Sequence, residues 1–313
     1  MKSIAEAPSK TIITGEHFVV HGAWALAAAI DRTVRVEASE AKKLLIESNL
    51  IPGRHTEASH EPSIVPIVKV VKGICEENHL RPNFHLRITS AVPDGSGLGS
   101  SASTMVAVAS ALGKLNGLDL GTSEIIRFGM VGEREVHGRP SGIDVAICAH
   151  GGVMLYKMGA VPKLVRFSGK RGFVIIQTGR KRSTRRLINK VAGMKAVYPN
   201  LFSALAESAS LVSEMATERL VRGDMESLGR LLTYNHAVLS TVGASSKDLD
   251  ELVDLALSLG CYGAKLTGAG GGGSVLTVPK TGGESRLMGA LQTRGFESFE
   301  TALPTRGVKS WLH

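Results

Sequence analysis

Val34, Val36 and Ala38 alternate with polar neighbours, as do Phe84, Leu86 and Ile88; a period of two places each set on one side of a half-buried strand. A shorter β-branched run at residues 10–14, closed by Gly15, reads as another strand. Between the alternating segments, Ile64, Ile67, Val68, Val71, Ile74 and Cys75 recur at helical spacing, with Pro62 and Ser63 where a helix would start. Residues 100–115, rich in Ala and Ser and free of proline, predict a tightly packed helix, and a further one is predicted over 122–137. The second half changes character. Residues 173–177 are a bare apolar run, as in a buried strand, after the polar stretch 167–172. Long helical patterns follow from 184 to 259, with Gly260 as a C-terminal cap. Two strand-like pieces, 264–267 and 275–278, then flank a glycine cluster. The change places a boundary near Ser168, predicting domains over residues 1–168 and 169–313.

Composition narrows the class. At about 150 residues per domain, 313 residues predict two domains. A hydrophobic content of 43% is ample for a core and excludes a disordered chain. The longest wholly apolar run, residues 23–30, falls well short of the ~18 needed to span a bilayer. The first residues lack the apolar stretch of a secretory signal, and Cys75, Cys148 and Cys261 are scattered singly, so the expectation is a soluble cytoplasmic protein. Lys plus Arg exceed Asp plus Glu by 37 to 28, a formal charge of +9 that suits nucleic acid or small phosphorylated molecules. The 4% aromatic content argues against gripping single strands by stacking.

Three glycine-rich stretches carry candidate chemistry. Pro93, Asp94, Gly95, Ser96, Gly97, Leu98, Gly99, Ser100, Ser101, Ala102 and Ser103 follow a strand and run into the Ser/Ala-rich helix. Glycines let several N–H groups converge on one point, and a helix start adds unpaired donors and a positive dipole end, a cradle for phosphate. A serine hydroxyl there can cap the helix or reach a metal ion; an ordinary tight turn with a serine cap is the competing reading. A Walker loop is excluded, because no Gly-Lys-Ser/Thr follows. The cluster from Gly268 to Gly273 fits the dinucleotide pattern formally, yet β-branched residues follow it and only 40 residues remain. It reads as a strand–loop–strand in which bare backbone approaches something closely, or as a flexible hairpin. In residues 15–22, His17 and His21 stand four apart, but the zincin pattern needs a glutamate where Phe18 stands. They read as hydrogen-bonding groups in a polar pocket.

Glu133 falls near the end of the helix predicted over 122–137, and Pro140, Ser141 and Gly142 break it, so that Asp144 can fold back. Two carboxylates beside a phosphate cradle suit two tasks, holding Mg²⁺ and orienting a hydroxyl nucleophile. On spacing alone, two solvated helix charges remain open. Residues 180–186 hold five cations in seven positions, at a helix start where the macrodipole disfavours them. Either they serve an anionic ligand or they form a solvated face.

Taken together, these segments resemble the GHMP kinase superfamily. Ala7, Pro8, Ser9 and Lys10 with Gly15, Glu16 and His17 are similar to its first motif, residues 93–103 to its second, and residues 265–272 to its third. Glu133, Arg134, His137 and residues 138–144, with Ser183 and Thr184 between arginines, resemble its mevalonate-phosphorylating branch, and the compact length resembles archaeal members. A galactokinase would continue differently after His17, and homoserine kinases lack the Gly-Glu-His. The resemblance implies an α+β fold of two domains, the first like domain 2 of ribosomal protein S5 and the second ferredoxin-like, with the active site between them. It implies ATP-dependent phosphorylation of the C5 hydroxyl of (R)-mevalonate, with ATP held by residues 93–103, Mg²⁺ by Ser101 and Glu133, and Asp144 and Lys10 as the catalytic pair. Glu16, His17 and Thr184 would seat mevalonate, and Gly268, Gly270, Gly271 and Gly272 form the third motif. It also implies a homodimer with no nucleic-acid or membrane partner. Asp94 departs from the pattern, since an acid beside phosphates is unfavourable unless it points outward. Competing readings keep the fold with another acceptor, as in a phosphomevalonate kinase or a mevalonate 3-kinase, or make the chain a non-catalytic metabolite sensor.

Overall fold

The computed structural model describes residues 1–93, 95–138, 140–179 and 184–313, and of residues 184–186 and 188 the backbone alone. Its first half is organised on a long antiparallel pair, β1 (Lys2–Thr14) and β2 (Ala25–Glu40). β3 (Leu45–Ser48), β4 (Arg54–His55) and β5 (Phe84–Ser90) extend the sheet beyond β2, β5 lying antiparallel to β2 and parallel to β3. α1 (Val65–Glu77), α2 (Ser100–Leu115), α3 (Thr122–His137) and α4 (Ile143–His150) pack with this sheet around one core. β6 (Val153–Tyr156) pairs with the first half of β2 and is edged by β7 (Lys163–Val165).

The apolar run at residues 23–30 becomes the start of β2, and it lacks alternation because both of its faces are covered. Ala25, Ala27 and Ala29 enter the core under the helices, while Leu26, Ala28 and Ile30 enter a separate one shared with the second half of the chain. The helix anticipated from Pro62 begins slightly later, at Val65, with Pro66 in its first turn.

The second half opens with β8 (Arg171–Gln177). The long helical pattern resolves into α5 (Thr184–Val197), α6 (Pro199–Arg222), α7 (Met225–Thr241) and α8 (Lys247–Ser258). The breaks have local causes: Pro199 opens α6, Gly223 closes it in the left-handed region, and the Asp224 side chain caps α7 by accepting from Ser227 N at 3.1 Å. β9 (Gly263–Thr267), β10 (Ser274–Val278), α9 (Glu284–Gln292) and β11 (Ser298–Leu303) complete an antiparallel sheet of order β11-β8-β10-β9. That order, first strand between fourth and third, is the ferredoxin-like one. β12 (Lys309–Leu312) leaves it and returns to the first sheet, pairing with residues 3–6 of β1. Among the described residues no helix is long and apolar enough to cross a membrane.

Candidate active site

A cleft of about 710 Å³ lies where the end of β1, the start of α2 and the loop after β9 converge. Gly99 is the N-cap of α2 at φ 78°, and the Lys10 N–H donates to Leu98 O at 2.9 Å, tying the glycine-rich loop to β1. Gly95, Ser96, Gly97, Gly99, Ser100, Ser101 and Ala102 line the cleft together with Pro93. Leu98 and Ser103 are turned away from it: Leu98 is buried in the core shared by both halves, and Ser103 Oγ donates to Pro8 O at 2.9 Å. The α2 N-terminus therefore presents open N–H donors into a concave, cation-bearing space, which is what a phosphate chain needs.

Two acid-bearing pairs stand at this helix start. Lys10, buried on β1, places Nζ 3.1 Å from Asp144 Oδ1, which sits in the first turn of α4 and remains 30% exposed. Ser101 Oγ donates to Glu133 Oε1 at 2.6 Å, and His137, one turn further along α3, approaches Glu133 Oε2 at 3.6 Å. Burial pushes the Glu133 carboxyl above its ordinary range; His137 opposes that shift, while the charge on Asp144 adds to it. A buried carboxylate and a hydroxyl facing an anion cradle are hard oxygen donors of the kind Mg²⁺ takes, with phosphate oxygens completing the shell. The donor set at Ser101 and Glu133 fits that ion. No group of three or more His, Cys, Asp or Glu that could hold a metal ion by itself forms among the described residues.

His17 lies in the left-handed region at φ 63° and its Nε2 is 2.9 Å from Ala269 O. His21 instead meets Lys195 Nζ through Nδ1 at 3.1 Å and stands edge-on to the Phe202 ring. The two histidines thus serve different elements, as hydrogen-bonding groups. Glu16 lines the cleft but is only 4% exposed, and its carboxylate accepts from the Lys265 ammonium at Oε1 and from Asn235 Nδ2 at Oε2, 3.3 Å away. Asn235 escapes a reading by motif, and Lys265, which opens the stretch 265–272 that resembles the third motif, is given no role of its own by that resemblance. The available signal was a lysine within an otherwise apolar strand.

In the third loop Gly268 and Ala269 face the cleft. Gly270 and Gly271 instead press against Ala244 and Leu187, and Gly272 is not part of the lining. Gly273 abuts the nucleotide-type loop: a Cβ there would lie 2.9 Å from Ser96 O, which also accepts from Ser274 Oγ at 2.9 Å. The third loop therefore buttresses the second from behind. Asp94, Arg139, residues 180–183 of the basic run 180–186 and the side chains of Thr184, Arg185 and Arg186, all singled out by the sequence, lie outside the described residues.

Comparison with known proteins agrees with this geometry. Residues 66–152 match the GHMP kinases N terminal domain and residues 216–294 the GHMP kinases C terminal domain. The chain is 33% identical to the mevalonate kinase of Aeropyrum pernix, covering 97% of each chain. It is 34% identical to that of Pyrococcus furiosus, over 99% of this chain and 98% of the other. The structure of L. major mevalonate kinase in complex with R-mevalonate superposes with a TM-score of 0.83 at 28% identity, covering 96% of both.

Proposed function

The chain belongs to the GHMP kinase family, on its mevalonate kinase branch, and from that premise we propose that it transfers the γ-phosphoryl group of ATP to the C5 hydroxyl of (R)-mevalonate. The observation that carries this reading is the Lys10–Asp144 pair at 3.1 Å beside the Ser101–Glu133 pair, both at the start of α2. Phosphoryl transfer has a loose transition state, so positioning and charge neutralisation do most of the work. The N–H groups of residues 95–101 hold the triphosphate. Ser101 and Glu133 would hold Mg²⁺, which would supply charge neutralisation to the phosphate chain. Lys10 sits against the transferred group as its charge shifts, while Asp144 orients the acceptor hydroxyl and takes its proton late. Glu16 and His17 help seat the acceptor, and the resemblance to the mevalonate kinase branch assigns Thr184 to the same task. The cytoplasm is the expected compartment. We carry forward the division near residue 168, with β12 rejoining the first sheet. A homodimer is part of the same reading, and the exposed Leu211 and Met215, one turn apart on α6, offer apolar surface for it.

The test is an acceptor panel with purified protein, ATP and Mg²⁺, read by ADP release and by phosphorus NMR of the product. Mevalonate is expected to yield the 5-phosphate ester. Turnover of phosphomevalonate without turnover of mevalonate would move the chain to that acceptor, and a 3-phosphate product would move the site of transfer. Asp144→Asn is expected to lose at least about 100-fold in kcat while nucleotide affinity stays near wild type. Comparable turnover in that variant removes Asp144 from the chemistry.

A further inference from the structure

Lys265 is fully buried on β9, and no step of the phosphoryl transfer uses it. Its ammonium donates to Glu16 Oε1 and to Ile12 O, the latter at 3.3 Å. Two residues further along the strand, Thr267 Oγ1 accepts from Ile12 N at 3.2 Å and donates to Ile12 O at 3.1 Å. From α7, the buried Asn235 closes the other side: its Oδ1 accepts from Gly15 N at 3.2 Å and its Nδ2 donates to Glu16 Oε2. The next residue is His17, bonded to the third loop, and then comes Phe18, buried in the second-half core with its ring centroid 5.4 Å from that of Phe202. Residues 15–18 are therefore held one by one by the second half of the chain, although they directly follow the strand that carries Lys10.

A buried ion pair is weak as a source of stability, because desolvation of both charges offsets their attraction. Burial does push Glu16 up and Lys265 down, each opposed by the partner's charge. What such a pair adds is geometry. Both Glu16 oxygens have partners inside the protein, so the carboxylate at the cleft wall is held in place by the second half of the chain. The pair also keeps the ground beneath Lys10 near neutral: the charge on Lys10 favours the Glu16 carboxylate and opposes the Lys265 ammonium. An unpaired ammonium at 265 would repel the one that must stay with Asp144.

We propose that Lys265 is a positioning residue for the acceptor, fixing residues 15–18 and hence His17 against the third glycine loop through Glu16 and Asn235. The proposal rests on the reading of this cleft as the acceptor site of a small-alcohol kinase. Its test compares wild type with Lys265→Met, Glu16→Gln and the double variant, measuring KM for each substrate, kcat and Tm. Lys265→Met is expected to raise the KM for mevalonate tenfold or more and to leave that for ATP within threefold. The double variant, with no unpaired charge left in the interior, is expected to recover Tm but not the acceptor KM. Wild-type kinetics in the double variant, or an equal rise in both KM values, would overturn the proposal, since either outcome describes a merely structural pair. Should Lys265→Met fail to fold, the double variant alone separates the same two outcomes. If the wild type turns over a different acceptor, the functional reading fails by itself and the KM contrast is measured with that acceptor.

Discussion

Ser96 Oγ is buried without a hydrogen-bond partner among the described residues, and Ser96 borders the cleft. Leaving a buried hydroxyl unpaired costs about 1–3 kcal/mol, a cost that a bound phosphate oxygen can offset. Ser96→Ala is therefore expected to leave the Tm of the ligand-free protein unchanged or higher, and to reduce the Tm increase produced by ATP and Mg²⁺. An undiminished increase would show that the hydroxyl meets no nucleotide. Gly99 poses a different constraint. At φ 78° an added Cβ is strained, and it would lie 2.6 Å from Lys10 Cγ, so the lysine stem occupies the space a side chain would need. Gly99→Ala should displace Lys10 from Asp144 and lower kcat at least about tenfold, with the loss visible in single-turnover rates. Lys10, Ser101, Glu133 and Asp144 are named from the sequence because they stand in stretches that resemble the family's motifs, whereas spacing alone leaves the two carboxylates open between site groups and solvated helix charges. Lys265, inside the third such stretch, is given no role, because its role comes from Glu16, a partner 249 positions away.

α2, rich in Ala and Ser and free of proline, and α3 have the bounds the sequence predicts. Strands whose meaning depends on neighbours do not. β1 extends back to Lys2 because β12 and β2 pair on its two sides, and β12 has only four residues with no pattern of their own. That returning strand is also held by charge. Glu6 takes Lys309 Nζ at 2.9 Å and Arg35 Nη1 at 3.1 Å, and these cations hold its carboxyl below the ordinary 4.5. A depressed carboxyl contributes stability in full above its unfolded value and loses it as pH falls through the folded one. Glu6→Gln should thus cost about 0.5–1 kcal/mol at pH 7, and the difference from wild type should shrink in denaturant titrations as pH falls below the ordinary 4.5 and through the lowered folded-state value. A gap that persists at low pH would assign the effect to packing.

The two sheets do not have wholly separate interiors. Ile13, Leu26 and Ile30 of the first sheet share a core with Phe173, Ile175, Leu276 and Leu303 of the second, while Phe18 and Ala23 lie in the core formed by the second-half helices. Val174 and Ile176 enter that other core, so β8 is covered on both faces and reads as a bare apolar run. A shared apolar core of this kind couples the halves. Calorimetry is expected to show one unfolding transition with equal calorimetric and van't Hoff enthalpies; two resolved transitions would contradict it. The sequence was enough to place the helices over 100–115 and 122–137, because each rests on neighbours within a few positions, and to show which kinase family the chain resembles, because three motif-like blocks stand in order along it; α4 and α9 carried no local pattern that predicted them. Three-dimensional packing decided that Lys10 meets Asp144, that Ser101 meets Glu133, and that a strand lysine near the chain's end braces the loop after its first strand. Those meetings are made by crossing elements, and the burial of the Lys265–Glu16 pair exists only once the two halves close on one another.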